Sequence, residues 1–281
     1  MIRTPRRWPR CRRPTRNGAH GLLFAILLTV IVALPLCYLV VAAFAGRWPF
    51  PRLLPQTLSL RGWRYVAAGF GEIGRSLAVS VFYASAVAFL SAVVCWPTAR
   101  FLARNRFAGQ SLLEALLLAP ALIPSISYSM GLQVLFIRVG LADSIEGVIL
   151  VLTLTAYPYV LRALKSGFLV CSRRYDECAR NLSGGRLQRM VEVEIPLLLP
   201  SALAGMSIAF LVAFSEYFLV YLIGGGRVPG FAGFLVPFLQ GSDRQVASAL
   251  TLLFVAVPLA LFAAQEWFLQ HYYVRRGIER A

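Results

Sequence analysis

Few residues of this chain belong to the types that make and break bonds. There are two histidines, His20 and His271, and five cysteines, Cys11, Cys37, Cys95, Cys171 and Cys178, with no CxxC pair among them. Zinc sites and disulfide frameworks need partners at set spacings, so neither is implied and no metal is expected. The one lysine, Lys165, stands before Ser166, but the preceding Tyr159-Val160-Leu161-Arg162-Ala163-Leu164 lacks the glycines whose backbone N–H groups cradle phosphates. No nucleotide site, catalytic residue or cofactor is therefore expected, and any ATP chemistry belongs to another polypeptide. What remains are charges close to apolar runs: Glu114, Arg138, Glu216, Glu266, and a cluster between residues 171 and 196.

That cluster has helical order. Cys171, Tyr175, Cys178, Ala179 and Leu182 recur at intervals that place them on one face of a helix, while Arg173, Glu177 and Arg180 share another. Ser183-Gly184-Gly185 then breaks the helix, and Leu187, Met190 and Val191 resume an apolar set before Ile195-Pro196 opens the next run. A helix, a glycine elbow and a second helix outside a bilayer offer a protruding surface for docking. The alternative is an amphipathic hairpin lying on anionic lipid, with Glu177 merely paired to Arg173 and Arg180 for about 0.2–0.5 kcal/mol each.

The elements around the cluster follow from composition. Of 281 residues 58% are apolar and 14% charged, and the mean hydropathy is +0.69. A soluble domain is about 25% charged, so the soluble-enzyme class is disfavoured. The net charge of +16 comes from 28 basic against 12 acidic residues. In a nucleic-acid binder such a surplus forms a solvated patch on a folded domain. Here the arginines lie between apolar runs, so no nucleic acid is expected and membrane lipid is.

Six stretches have the roughly 20 apolar residues a bilayer crossing needs. They are Gly21 to Ala45, Ser76 to Ala99, Ser111 to Ile137, Glu146 to Phe168, Leu197 to Ile223 and Val246 to Gln270. The fourth carries Pro158, which membrane helices tolerate. A signal-peptide reading of the first is countered by its 25 residues without a charge, since an h-region runs about 7–15 residues.

Basic residues set the orientation. The tail 1 to 20, residues 99 to 110, residues 162 to 196 and the C-terminus together hold 20, and the opposite connections hold 8. By the positive-inside rule the former face the cytoplasm, with both termini inside. The expected organisation is a basic cytoplasmic tail 1–20, a six-helix domain 21–270 with a cytoplasmic loop 169–196, and a cytoplasmic tail 271–281. Residues 46 to 75, rich in Pro, Gly and aromatics, read as an ordered outer loop or short interfacial helix, and Gly224-Gly225-Gly226 as an outer turn.

The stretch from Glu177 to Pro196 resembles the EAA loop of binding-protein-dependent ABC importer permeases. That motif reads Glu-Ala-Ala, three residues, Gly, nine residues, an aliphatic, one residue, an aliphatic and Pro. Glu177, Ala179, Val193, Ile195 and Pro196 fall in register; Cys178 replaces the first Ala and Ser183 replaces Gly, with Gly184 and Gly185 following at once. The resemblance extends over the six-span pattern and Phe214-Ser215-Glu216-Tyr217-Phe218.

It implies an all-α, type I importer permease (MetI-like) fold in a bacterial inner membrane. Two ATPase subunits, a second permease and a periplasmic solute-binding protein are the implied partners. Glu177, Ala179, Ser183, Gly184 and Gly185 become the ATPase-coupling residues, and Ser215, Glu216 and Tyr217 the candidate pathway residues. A loose similarity points to the branch handling polyamines, ferric iron, thiamine or sulfate-like anions, where unlike permeases often pair, so a heteromer is expected over a homodimer. The competing class, a stand-alone channel or ion-coupled transporter, is thinly served by the few ionisable residues within the spans. A membrane-embedded enzyme lacks paired carboxylates or a His-rich motif.

Overall fold

The computed structural model describes residues 18–49, 52–171, 185, 188 and 190–275. Among them the helices are α1 (Gly18–Phe44), α2 (Arg61–Ala68), α3 (Phe70–Arg104), α4 (Gln110–Leu118), α5 (Ser125–Arg138), α6 (Ile145–Val170), α7 (Ile195–Ser215), α8 (Phe218–Gly224), α9 (Phe231–Gln240) and α10 (Arg244–Arg275). A 3-10 turn, Ala119–Ala121, follows α4, and a π-helical turn, Met190–Glu194, precedes α7. Extended pairing among the described residues is limited to one bridge, Ala45 with Leu58. An all-helical answer suits so apolar a chain, because a helix satisfies its own backbone where hydrocarbon cannot.

Among the described residues five stretches are long and apolar enough to cross a bilayer: Leu23–Phe44, Phe70–Arg104, Ile145–Val170, Met190–Ser215 and Arg244–Tyr273. A sixth arises if Gln110–Ala121 and Ser125–Arg138 form one span, but these two segments meet at 88°. The expected third span, Ser111 to Ile137, is therefore sharply bent rather than one continuous helix. Pro120 lies in the 3-10 turn, and Pro124 sits at φ −53°, ψ 131°, before α5. Two prolines this close remove backbone donors and bias the residues before them away from the helix.

The fifth span is also shorter than expected. Instead of running to Ile223, α7 stops at Ser215, Glu216 turns to ψ 118°, and α8 starts anew at Phe218. Pro158, by contrast, is carried inside a continuous α6.

Helices α3, α6 and α7 build the main core. Their buried residues alternate bulk and smallness: Tyr83, Ala84 and Val87 on α3, Leu152, Ala156 and Val160 on α6, Ala209, Phe210 and Ala213 on α7. Small residues let membrane helices approach closely where no hydrophobic force drives them together. A methyl at Gly205 would lie 2.9 Å from Ala163 Cβ and 3.1 Å from Val160 Cα, and one at Gly167 would lie 2.7 Å from Ser201 Cβ, so α6 and α7 approach closely at both places.

A second cluster joins Ala43 of α1, Val66 of α2, Phe231 and Leu235 of α9, and Ala249 and Leu250 of α10. Over its most apolar stretch none of α1 is buried within the chain. Within the expected 46–75 connection Gly46 N donates to Thr57 O at 2.8 Å and Ser59 N to Phe44 O at 2.8 Å, closing a strap that leads into α2, and α3 already begins at Phe70. Gln245, nearly buried, donates to Ser59 O at 2.6 Å, and Arg61 pairs with Asp243 at 2.6 Å, so the strap is fastened to the start of α10.

Candidate coupling and pathway sites

Residues 172–184 lie outside the described set, and with them Glu177, Ala179, Ser183 and Gly184. Gly185 is described and exposed, and a Cβ added there would meet open space. The flanks define the site. Cys171 caps α6, its N–H donating to Gly167 O at 2.8 Å, and the π-helical turn leads into α7 through Pro196. Both ends of the loop are therefore set into the α6/α7 pair, at what we term the loop end of the bundle.

At that end lies a residue that sequence reading passed over. Glu194 is 3% exposed, and its Oε1 lies 2.8 Å from Arg100 Nη2 and 3.3 Å from Arg104 Nη2, both on α3. A carboxylate so buried is stable only if paired, and removal of the partners of such a charge typically costs about 3–5 kcal/mol. Arg104 also stacks over the Phe168 ring of α6 at 5.7 Å, and Trp96 meets the same ring edge-on. Tyr273 of α10 donates to Pro196 O at 2.9 Å. The only sequence signal for Glu194 was a charge set between Val193 and Ile195.

A second ion pair ties α4 to α6. Lys165 Nζ lies 2.5 Å from Glu114 Oε1, and Gln110 donates to Glu114 at 3.0 Å and to Leu102 O at 2.8 Å. The Tyr157 hydroxyl donates to Leu117 O, so the limb of the broken span before its bend is held to α6 at two levels. Sole lysine and membrane-end glutamate thus neutralise each other, as polar groups at that depth must.

The three candidate pathway residues lie together at the break between α7 and α8, but they do different things. Ser215 Oγ donates to Leu211 O at 2.8 Å, a bond within its own helix. Glu216 Oε1 accepts from Leu219 N at 3.2 Å, capping the first turn of α8, where the helix dipole favours negative charge. Tyr217 places its ring against Tyr221, 5.9 Å between centroids. The Tyr128 hydroxyl is buried with no hydrogen-bond partner among the described residues. Ser80 Oγ donates to Tyr83 OH at 3.2 Å and accepts from Phe231 N at 2.7 Å.

A bundle with several helices long and apolar enough to cross a bilayer has the features of a membrane-embedded subunit. The family described as binding-protein-dependent transport system inner membrane component matches residues 96–273, and the chain belongs to that family. It is a permease subunit of an ABC importer, a class that works with an ATPase and a substrate-binding protein.

Among relatives, the molybdate/tungstate transport system permease protein WtpB of Pyrococcus abyssi is 25% identical over 189 residues, 67% of this chain and 75% of that one. The sulfate transport system permease protein CysT of Salmonella typhimurium is 27% identical over 175 residues, 57% of this chain and 63% of its own. A solved bacterial ABC transporter involved in the import of the acidic polysaccharide alginate shares the fold, with a TM-score of 0.67, 17% identity, and coverage of 92% of this chain and 99% of the matched one.

Proposed function

We propose that this permease passes ATPase motion into the membrane through the loop 171–195, with Glu177 and Ala179 on the docked face and Ser183, Gly184 and Gly185 forming the elbow. The observation that carries the reading is the packing that holds the loop: its two ends belong to α6 and α7, which approach closely at Gly167 and Gly205. A force on the loop then reaches a stiff helix pair rather than two loose ones. ATP can bias the permease only if the ATPase contacts differ between its two states.

The proposed assembly has two ATPase subunits, a second and unlike permease, and a periplasmic solute-binding protein, in an inner membrane with both termini cytoplasmic. The proposed organisation is a basic tail 1–20, a membrane domain 21–270 and a C-terminal tail 271–281, with no ATP hydrolysis by this chain. Ser215, Glu216 and Tyr217 mark the outer end of the solute pathway, where the fifth span breaks. The proposed cargo is a small tetrahedral oxyanion, on the strength of the molybdate, tungstate and sulfate relatives. Glu216 is compatible with an anion because its carboxylate is engaged by the N-terminus of α8.

Isolation of the tagged chain in mild detergent tests the assembly. An ATPase subunit and a second permease should co-elute in fixed ratio, and radiolabelled sulfate or molybdate should accumulate only with ATP and the binding protein. A chain that elutes alone and carries solute down an ion gradient overturns the reading.

A further inference from the structure

Glu194 has no assigned role in the loop motif, which leaves the position between the two aliphatic residues open. We infer that Glu194 is a positioning residue that ties the exit of the loop to α3, so that α3 and α7 move as one unit when the loop is displaced. The inference rests on the loop reading above and deepens it.

Two independent observations carry it. Glu194 is 3% exposed and engages Arg100 and Arg104, one helical turn apart on α3, at 2.8 and 3.3 Å. Beside these pairs an apolar groove of about 970 Å³ opens between faces of α3 and α7, lined by Phe89, Trp96 and Phe101 on one side and Leu199, Leu203 and Met206 on the other, while Cys95, Ala99 and Leu102 of α3 and Leu198 and Ala202 of α7 belong to one buried core. Arg100, Arg104, Met190 and Ile195 also line this groove at the loop end. The ion pairs join the two helices at the loop end of this groove, adding a directional link to the packing of the core.

The charges are placed for this task. Glu194 closes the π-helical turn that joins the loop to α7, so it moves with whatever moves the loop. Its two arginines belong to α3, whose other neighbour is the core against α6. Leaving the buried Glu194 carboxylate without a cation is costly, so it has few alternative arrangements. A displacement of Glu194 therefore carries α3 with it instead of breaking the pair.

The test uses the assembled transporter in proteoliposomes, with solute transported and ATP hydrolysed measured together. Glu194→Gln should leave hydrolysis running while transport per ATP falls by roughly 5- to 150-fold, the usual span of a coupling factor. The swap Glu194→Arg with Arg100→Glu restores opposite charges across the groove and should recover much of the coupling. Wild-type transport per ATP in Glu194→Gln, or no rescue by the swap, overturns the inference.

Should the variants fail to assemble, spin labels at Phe101 and Leu203 in otherwise native protein decide it. Their separation should stay constant between nucleotide-free and ATP-trapped states, and a changed separation overturns the inference. If Glu194→Gln couples normally while Ala179→Trp uncouples, the loop reading stands and the tie to α3 alone falls.

Discussion

Ala179 and Glu177 are distinguished by what each loses on substitution. Ala179→Trp adds a large ring to a proposed packed contact, and overfilling such a contact typically costs about 1–3 kcal/mol. Assembly or uptake should fail, with the permease still inserted in the membrane. Glu177→Ala separates two environments. If Glu177 makes only exposed pairs with Arg173 and Arg180, uptake should change little; in a desolvated interface with an ATPase arginine, uptake should collapse, because truncation strands the partner's charge. Uptake assays with quantified ATPase co-purification check both. Glu216→Gln keeps the shape of the cap on α8 and removes its charge. Transport rate or apparent solute affinity should shift in normally assembled complexes, and unchanged values remove Glu216 from the pathway.

The α6/α7 pair makes its own prediction. Gly205→Leu must displace Ala163 or the backbone at Val160, so we expect a loss of about 1–3 kcal/mol and a lowered thermal unfolding midpoint in detergent. Gly131→Ala on α5 meets nothing within 4 Å and should leave that midpoint unchanged or raised. Element positions were largely legible in the sequence, because hydropathy over some 20 residues is a strong signal in a membrane chain.

Their interruptions were less so. Pro120 and Pro124 were visible, yet the apolar run through them is unbroken, and hydropathy does not register an 88° bend. At Glu216 neither proline nor glycine marks the break; the helix ends where a carboxylate finds the first turn of α8. The apolar helix α9 was read as part of an outer connection, since ten residues are too few to cross. The motif spacing from Glu177 to Pro196 is legible in the sequence because those positions lie in one short stretch of chain. Glu194 was not, because its partners on α3 are far upstream and only folding brings them together.

For the whole molecule, the asymmetric distribution of arginines predicts sidedness. In intact cells a membrane-impermeant thiol reagent should modify cysteines engineered at exposed Leu53, Leu58 or Arg227. Cysteines engineered at residues 100–106 and 171–195 should react only after permeabilisation. The strap fastened by Gln245 and Arg61 should then lie on the outer face, and the Glu194 cluster on the inner one. The proposed transporter places a stiff helix pair between these faces, with the loop at one end and the α7/α8 break at the other. Site-specific photocrosslinking from position 179, in membranes containing the assembled transporter, tests that arrangement most directly. The expected result is a covalent adduct with the ATPase subunit whose yield changes when ATP is trapped; adducts with lipid alone, from a complex that still transports, contradict it.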